Sequence, residues 1–178
     1  MAWRRRLAAA LPLFTLLGLV GCAGDDGGIQ SQKLAAINGR GKVICGVDGK
    51  LPGFSFVNPD GSYSGLDVDI CKATAAAVLG DPAKVDFRDL NSTERFAALA
   101  SGEIDLLSRN TTATVSRDAP GGNALSFAPT VFFDGQGIMT PKASGITTLK
   151  DLAGKPICVE SGTTTELNLA DRMREIKA

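Results

Sequence analysis

The sequence predicts an α/β fold built on a parallel sheet, and three observations carry that expectation. Short apolar runs at residues 43–47, 84–90 and 104–107 read as strands. Between them lie two stretches with helical apolar spacing, 67–79 and 92–101, each closed by a glycine. Strand, helix, strand, helix, strand in that order calls for parallel strands joined by right-handed crossovers. Thirdly, two hydroxyl-rich loops each leave the end of an apolar run, where open parallel sheets receive their ligands.

The amino terminus stands apart from this pattern. Arg4, Arg5 and Arg6 precede an apolar run over 7–20 that ends in Leu19-Val20-Gly21-Cys22. A basic start followed by so short an apolar run reads as an export signal over residues 1–21, not as a stable membrane span. The small residue before Cys22 has the form of a bacterial lipobox, with Cys22 as the lipidated first residue of the mature chain; a buried helix or an ordinary signal peptide are the alternatives. Residues 22–40 then read as a tether, flexible over the Gly- and Asp-rich stretch to Gln32.

Removal of residues 1–21 leaves 157 of 178 residues and takes three arginines away, so the balance becomes 16 basic against 19 acidic side chains. A net charge of −3 argues against a nucleic-acid partner. The chain has no histidine, which excludes His-dependent catalysis and His-rich metal sites. Its four cysteines, Cys22, Cys45, Cys71 and Cys158, show no CxxC or metal-ligand spacing, and no cofactor is expected. With Cys22 lipidated, the remaining three imply one bridge and one unpaired thiol in an oxidising compartment, unless the third has a partner elsewhere.

Taken in order, Val43-Ile-Cys-Gly-Val47 is a buried first strand, and Asn58-Pro-Asp-Gly61 lies at the turn of a small hairpin over 54–63. The helix over 67–79 places Val68, Cys71, Ala75 and Val78 on one face and stops at Gly80 and Pro82. Asp67 and Asp69 at its amino end suit the helix dipole and need no catalytic role. Asn91 and Glu94 have capping-box spacing for the helix over 92–101. Further on, Ile138-Met139, a short helix from Leu149 capped by Thr148, a strand over 156–159 and a helix over 163–176 begin a second unit of the same kind.

The first loop, Ser108-Arg-Asn-Thr-Thr-Ala-Thr-Val-Ser-Arg-Asp118, sets hydroxyls and amides between Arg109 and Arg117, as an anion-accepting pocket requires. The second, Glu160-Ser-Gly-Thr-Thr-Thr-Glu166, turns through Gly162 into a helix start. Either loop could merely satisfy its own backbone, and Thr163 with Glu166 has the spacing of a capping box. Two similar loops at strand ends favour a site. Neither contains a nucleophile beside a base, so a receptor for a small carboxylate is the reading.

Several motifs, in this order, resemble one family: Cys45-Gly-Val47, Leu51-Pro-Gly-Phe54, Gly65-Leu-Asp-Val-Asp69, Glu94-Arg-Phe96, Leu107-Ser-Arg-Asn-Thr-Thr112, Phe133-Asp-Gly-Gln-Gly137 and Ser161-Gly-Thr-Thr-Thr-Glu-Leu-Asn-Leu-Ala-Asp171. The sequence is similar over residues 40–171 to the extracytoplasmic solute-binding proteins of polar and general L-amino-acid ABC transporters. That resemblance implies a type II periplasmic-binding-protein-like α/β fold, two lobes closing on an amino acid. It implies a first lobe over 41–130, then a hinge and an incomplete second lobe over 131–178. The family's later segments, including an acid that contacts the ligand ammonium, are not in this sequence, which is therefore expected to be carboxyl-terminally truncated relative to the family.

Carried over by motif, the resemblance implies that Arg117 grips the ligand α-carboxylate, with Thr112 and Thr164 completing the clamp and the helix start at Thr163 adding N–H donors. Asn110 would offer its carbonyl to the α-ammonium, Asp48 and Ser92 would face the ligand side chain, and Arg109 would meet an acidic or amide side chain. The first strand and first helix of such a lobe pack face to face, which implies a Cys45–Cys71 disulfide. The implied partners are a polar L-amino acid, ABC permease subunits and a membrane through the lipid anchor, at a periplasmic or other extracytoplasmic location. Two other functions share the fold: a dehydratase of cyclic amino acid precursors, which needs an acid/base group in the cleft, and an extracellular sensor domain.

Overall fold

The computed structural model describes residues 28–118 and 125–176. The expected export signal, Cys22, the first part of the tether and the loop at 119–124 lie outside the described residues. A helix α1, Gly28–Arg40, opens the described chain and leads into strand β1, Val43–Val47. Short strands β2, Lys50–Leu51, β3, Ser55–Val57, and β4, Tyr63–Ser64, form an antiparallel meander of their own. Helix α2, Leu66–Leu79, strand β5, Val85–Asp89, helix α3, Arg95–Ala100, and strand β6, Leu106–Leu107, complete the first unit.

The main sheet has the order β5-β1-β6, with β1 parallel to both neighbours and Val47 paired with Asp89, Gly46 with Leu107. Alternation along β1 divides the core between two faces. Cys45 and Val47 pack with Cys71 of α2, and Val43 packs with Ala75, while Ile44 faces the cluster of Leu90, Ala98 and Ile104. Both faces of β1 are thus covered, as a parallel strand requires, which is why its sequence is continuously apolar. Gly46 belongs to the second face: a Cβ there would sit 2.7 Å from Ile104 Cδ1.

Cys45 and Cys71 form the expected disulfide across the strand–helix contact, with Cα atoms 6.1 Å apart. Cys158 is free and exposed. Helix α2 begins at Gly65, whose φ of 120° and close approach to the Phe54 carbonyl exclude a Cβ. The meander's Asn58-to-Gly61 turn forms as the sequence predicts, closed by Gly61 N–H to the Asn58 carbonyl at 2.9 Å.

Two expectations are corrected. The tether over 22–40 is helical from Gly28, and α1 is docked on the sheet: Ile37 joins Val43 and Ala75 in the core, and Lys33 and Arg40 both pair with the buried Asp105 carboxylate. One apolar anchor and two cations on a buried acid outweigh the weak helical patterning. The strand expected over 156–159 forms no ladder among the described residues, and neither does Ile138-Met139. A β-branched run is a strand only where a neighbour exchanges hydrogen bonds with it. Around them the chain forms a 3-10 turn at Lys142–Ser144, a 3-10 helix at Leu149–Leu152 and a helix α5, Thr164–Glu175. The Thr148 cap is present, as a capping box with Asp151.

Candidate ligand-binding site

The carboxyl ends of β1, β5 and β6 converge, and their outgoing loops hold most of the expected site residues. Asp48 follows β1, Ser92 follows β5, and Arg109 and Asn110 follow β6. The Arg109 side chain is fully buried there. Its Nη2 donates to Asp48 Oδ2 at 2.5 Å and to Ser92 Oγ at 3.4 Å, its Nη1 to the Leu90 carbonyl at 3.0 Å, and its Nε to Asn110 Oδ1 at 3.1 Å. Arg109 therefore ties the three strand ends together. The expectation that it faces a ligand side chain is corrected, because a guanidinium with four protein acceptors and no exposure is a brace.

Asp48 and Ser92 are engaged as well. Asp48 accepts from Lys50 N–H in addition to Arg109, and Ser92 Oγ donates to Glu160 Oε1 at 2.5 Å. Asp67, buried at the start of α2, has one carboxylate oxygen without a partner, and burial raises its pKa against the opposing pull of Arg109. The short helix α4, Val115–Asp118, carries Arg117 to the other side of the cleft. Its Nη1 donates to the Thr112 carbonyl at 2.7 Å, and its guanidinium lies 5.0 Å from the centre of the Phe96 ring. Burial lowers the Arg117 pKa, yet the group stays charged at any physiological pH.

The loop from Glu160 meets this arrangement from the far side. Thr112 and Thr164 hydroxyls are 3.0 Å apart and hydrogen-bonded to each other. Thr163 is the N-cap of α5: its Oγ1 accepts from Glu166 N–H at 3.2 Å and donates to the Glu160 carbonyl at 2.7 Å. The hydroxyl of Thr163 is thus spent on the helix start, which leaves the Thr164 hydroxyl and backbone N–H groups of that turn. Between the loops lies an open cavity of about 430 Å³, lined by Ser92, Phe96, Arg117, Gly162, Thr163 and Glu166 among others. A larger hollow of about 780 Å³ lies between the Leu149–Leu152 turn and α5, lined by neither Arg95, Arg109 nor Arg117.

One residue of this cleft was missed among the sequence-based site candidates. Arg95 is 2% exposed and sits on Phe96 from the other arginine's neighbourhood, 4.8 Å from the ring centre. Burial, with Arg109 and Arg117 nearby, lowers its pKa to about 10. The available signal was its position: Arg95 is the one polar residue of α3 and shares its buried stripe with Ala98. A charged residue on an apolar stripe is retained for a contact.

Of the three guanidinium groups at the carboxyl ends of the strands, Arg109 and Arg95 are held by protein oxygens, and Arg117 lines the cavity beside the start of α5. Residues 43–176 match the bacterial extracellular solute-binding proteins, family 3. The chain belongs to that family. It is 51% identical over 142 residues to the general L-amino acid-binding periplasmic protein AapJ of Rhizobium johnstonii, covering 80% of this chain and 41% of that protein. It is 49% identical over 145 residues to the glutamate/glutamine/aspartate/asparagine-binding protein BztA of Rhodobacter capsulatus, covering 82% of this chain and 42% of that one. A periplasmic binding protein from Brucella ovis, solved with glutathione bound, superposes with a TM-score of 0.73 at 49% identity, over 81% of this chain and 45% of that chain.

This member of family 3 thus spans about two fifths of the length of the curated relatives it matches. Those relatives are binding proteins, periplasmic by name in the case of AapJ, and the type II α/β fold expected from the sequence is the family's. The expected disulfide is present.

Proposed function

We propose that this chain contributes an amino-acid-binding cleft to an extracytoplasmic receptor that serves an ABC permease. The observation that carries the reading is Arg117, buried against the Phe96 ring and fixed through one nitrogen to the Thr112 carbonyl. Among the described residues its Nε and Nη2 have no protein acceptor, and it lines the cavity beside the α5 helix start. A ligand carboxylate there would receive a charge-assisted pair of bonds from the guanidinium and further donors from the helix amino terminus. The Thr112 and Thr164 hydroxyls would close the clamp, and the Asn110 carbonyl, now 3.5 Å from Arg95 Nη1, would take the α-ammonium. Asp48 and Ser92 would shape the far end of the cleft through the groups they hold.

Binding, not turnover, suits the cleft carboxylates. Asp48 is committed to Arg109 and Glu160 to Ser92, which leaves neither poised as a general base. The ligand range need not stop at free amino acids: glutathione, which the Brucella ovis protein holds, carries an α-ammonium and α-carboxylate at its γ-glutamyl end. The same head group serves glutamate, glutamine, aspartate and asparagine, named for BztA. Lipidation at Cys22 would hold the receptor at the membrane beside its permease.

Calorimetric titration with these four amino acids and glutathione tests the reading. Arg117→Ala should cost about 2–5 kcal/mol of binding, because the carboxylate loses its charged partner in a partly dry site. Arg117→Lys should recover little, since a point charge does not replace a planar fork. Undiminished binding by Arg117→Ala would show that the anchor lies elsewhere.

A further inference from the structure

The two halves of the cleft also touch each other directly, at the Gly162 turn. The Gly162 turn, with φ at +77°, lies so near the Asn91–Phe96 segment that an added Cβ would stand 3.1 Å from the Ser92 carbonyl and 3.2 Å from Thr93 Cγ2. Glu160 reaches the same segment through Ser92. Arg95 sits at the centre of this contact. Its Nη1 donates to Thr111 Oγ1 at 3.0 Å and approaches the Asn110 carbonyl at 3.5 Å, while its Nη2 donates to the Gly162 carbonyl at 3.3 Å. Its Nε is buried without a partner.

We propose that Arg95 is a positioning residue that latches the Gly162 turn onto the Thr111 loop and thereby holds the cleft closed. The planar guanidinium suits this task, because its two terminal nitrogens point to different oxygens from one rigid group. One faces the loop after β6 and the other the turn before α5, two segments far apart along the chain. With Nη1 held by the Thr111 loop of its own unit, Arg95 meets the far half through Nη2 alone, and a buried guanidinium nitrogen is costly to leave unpaired. Closure is therefore expected to be set in part by the protein itself, and the latch, resting on the binding reading above, would govern how long a bound amino acid stays. Ligand release requires the Gly162 carbonyl to leave Arg95.

The test reads the cleft without ligand. Spin labels on Cys158 and on Lys84→Cys, both exposed positions, in a Cys22→Ser background, report the separation of the two halves by dipolar spectroscopy. Arg95→Lys keeps the charge but not the span, and should broaden or lengthen the distance distribution. Gly162→Ala, which leaves the guanidinium intact, should shift it in the same direction through its misplaced Cβ. With glutamine bound, Arg95→Lys should raise the dissociation rate about tenfold with an unchanged association rate, as a contact made after encounter does. An unchanged distribution in both variants overturns the latch. Failure of the unsubstituted chain to bind any amino acid would overturn the binding reading alone, because the ligand-free distances still decide the latch.

Discussion

Reduction of the Cys45–Cys71 bridge should lower stability by about 3.5 kcal/mol, a figure that follows from the loop it closes. The two cysteines are 26 residues apart, and cross-linking a loop of that size removes chain entropy from the unfolded state according to its length. Both side chains are completely buried between β1 and α2, so the reduced thiols remain packed in the same place and no cavity term is added. For a chain of this size such a loss corresponds to a fall in melting temperature of about 7–14 °C. The measurement is urea unfolding with and without a phosphine reductant, in a Cys22→Ser, Cys158→Ser background that leaves only this pair. A loss below about 1 kcal/mol would refute the loop argument, because it would mean that the unfolded chain already holds strand and helix together.

Two further outcomes concern the acids around the strand ends. Asp48→Asn should cost about 3 kcal/mol of stability by urea denaturation, since it leaves the fully buried Arg109 guanidinium without its charged partner; an effect under 1 kcal/mol would show that the Leu90 and Asn110 acceptors suffice. Asp67 binds its proton more tightly in the folded chain than unfolded, because burial disfavours the carboxylate. Stability should therefore fall as pH rises from the unfolded value of about 3.9 through the raised folded value, and the loss should persist above it. Asp67→Asn should gain on the unsubstituted protein over that rise, and a constant difference between pH 4 and 7 would refute the assignment.

The parallel sheet was legible because β1 is buried on both faces and so carries an unbroken apolar run, while Gly80 and Gly102 punctuate the helices that cover it. The second unit was less so. The 156–159 run has strand composition, but hydrogen-bond pairing is a property of two segments, and Val159 is exposed. The role of α1 was hidden because its docking depends on Asp105, 65 residues from Arg40. Among site residues, Thr112 and Thr164 were singled out only through the family resemblance, and their hydroxyls lie 3.0 Å apart. Arg109 and Arg95 changed places: the sequence sets Arg109 in a polar loop and Arg95 in a helix, whereas folding turns Arg109 inward onto Asp48 and lays Arg95 across the cleft. Side-chain direction at a strand end is not written in local composition.

The order β5-β1-β6 places the last strand of the unit against the first. Gly46 and Leu107 are neighbours in space but 61 residues apart in the chain, with α2, β5 and α3 between them. Pairing β1 with β5 brings Asp48 near Leu90, but Arg109, which joins them, arrives only when β6 adds to the other edge. The cleft is thus not assembled strand by strand. It comes into being with the longest-range pairing of the unit, so a chain growing from its amino terminus has no braced cleft until Arg109 has been made.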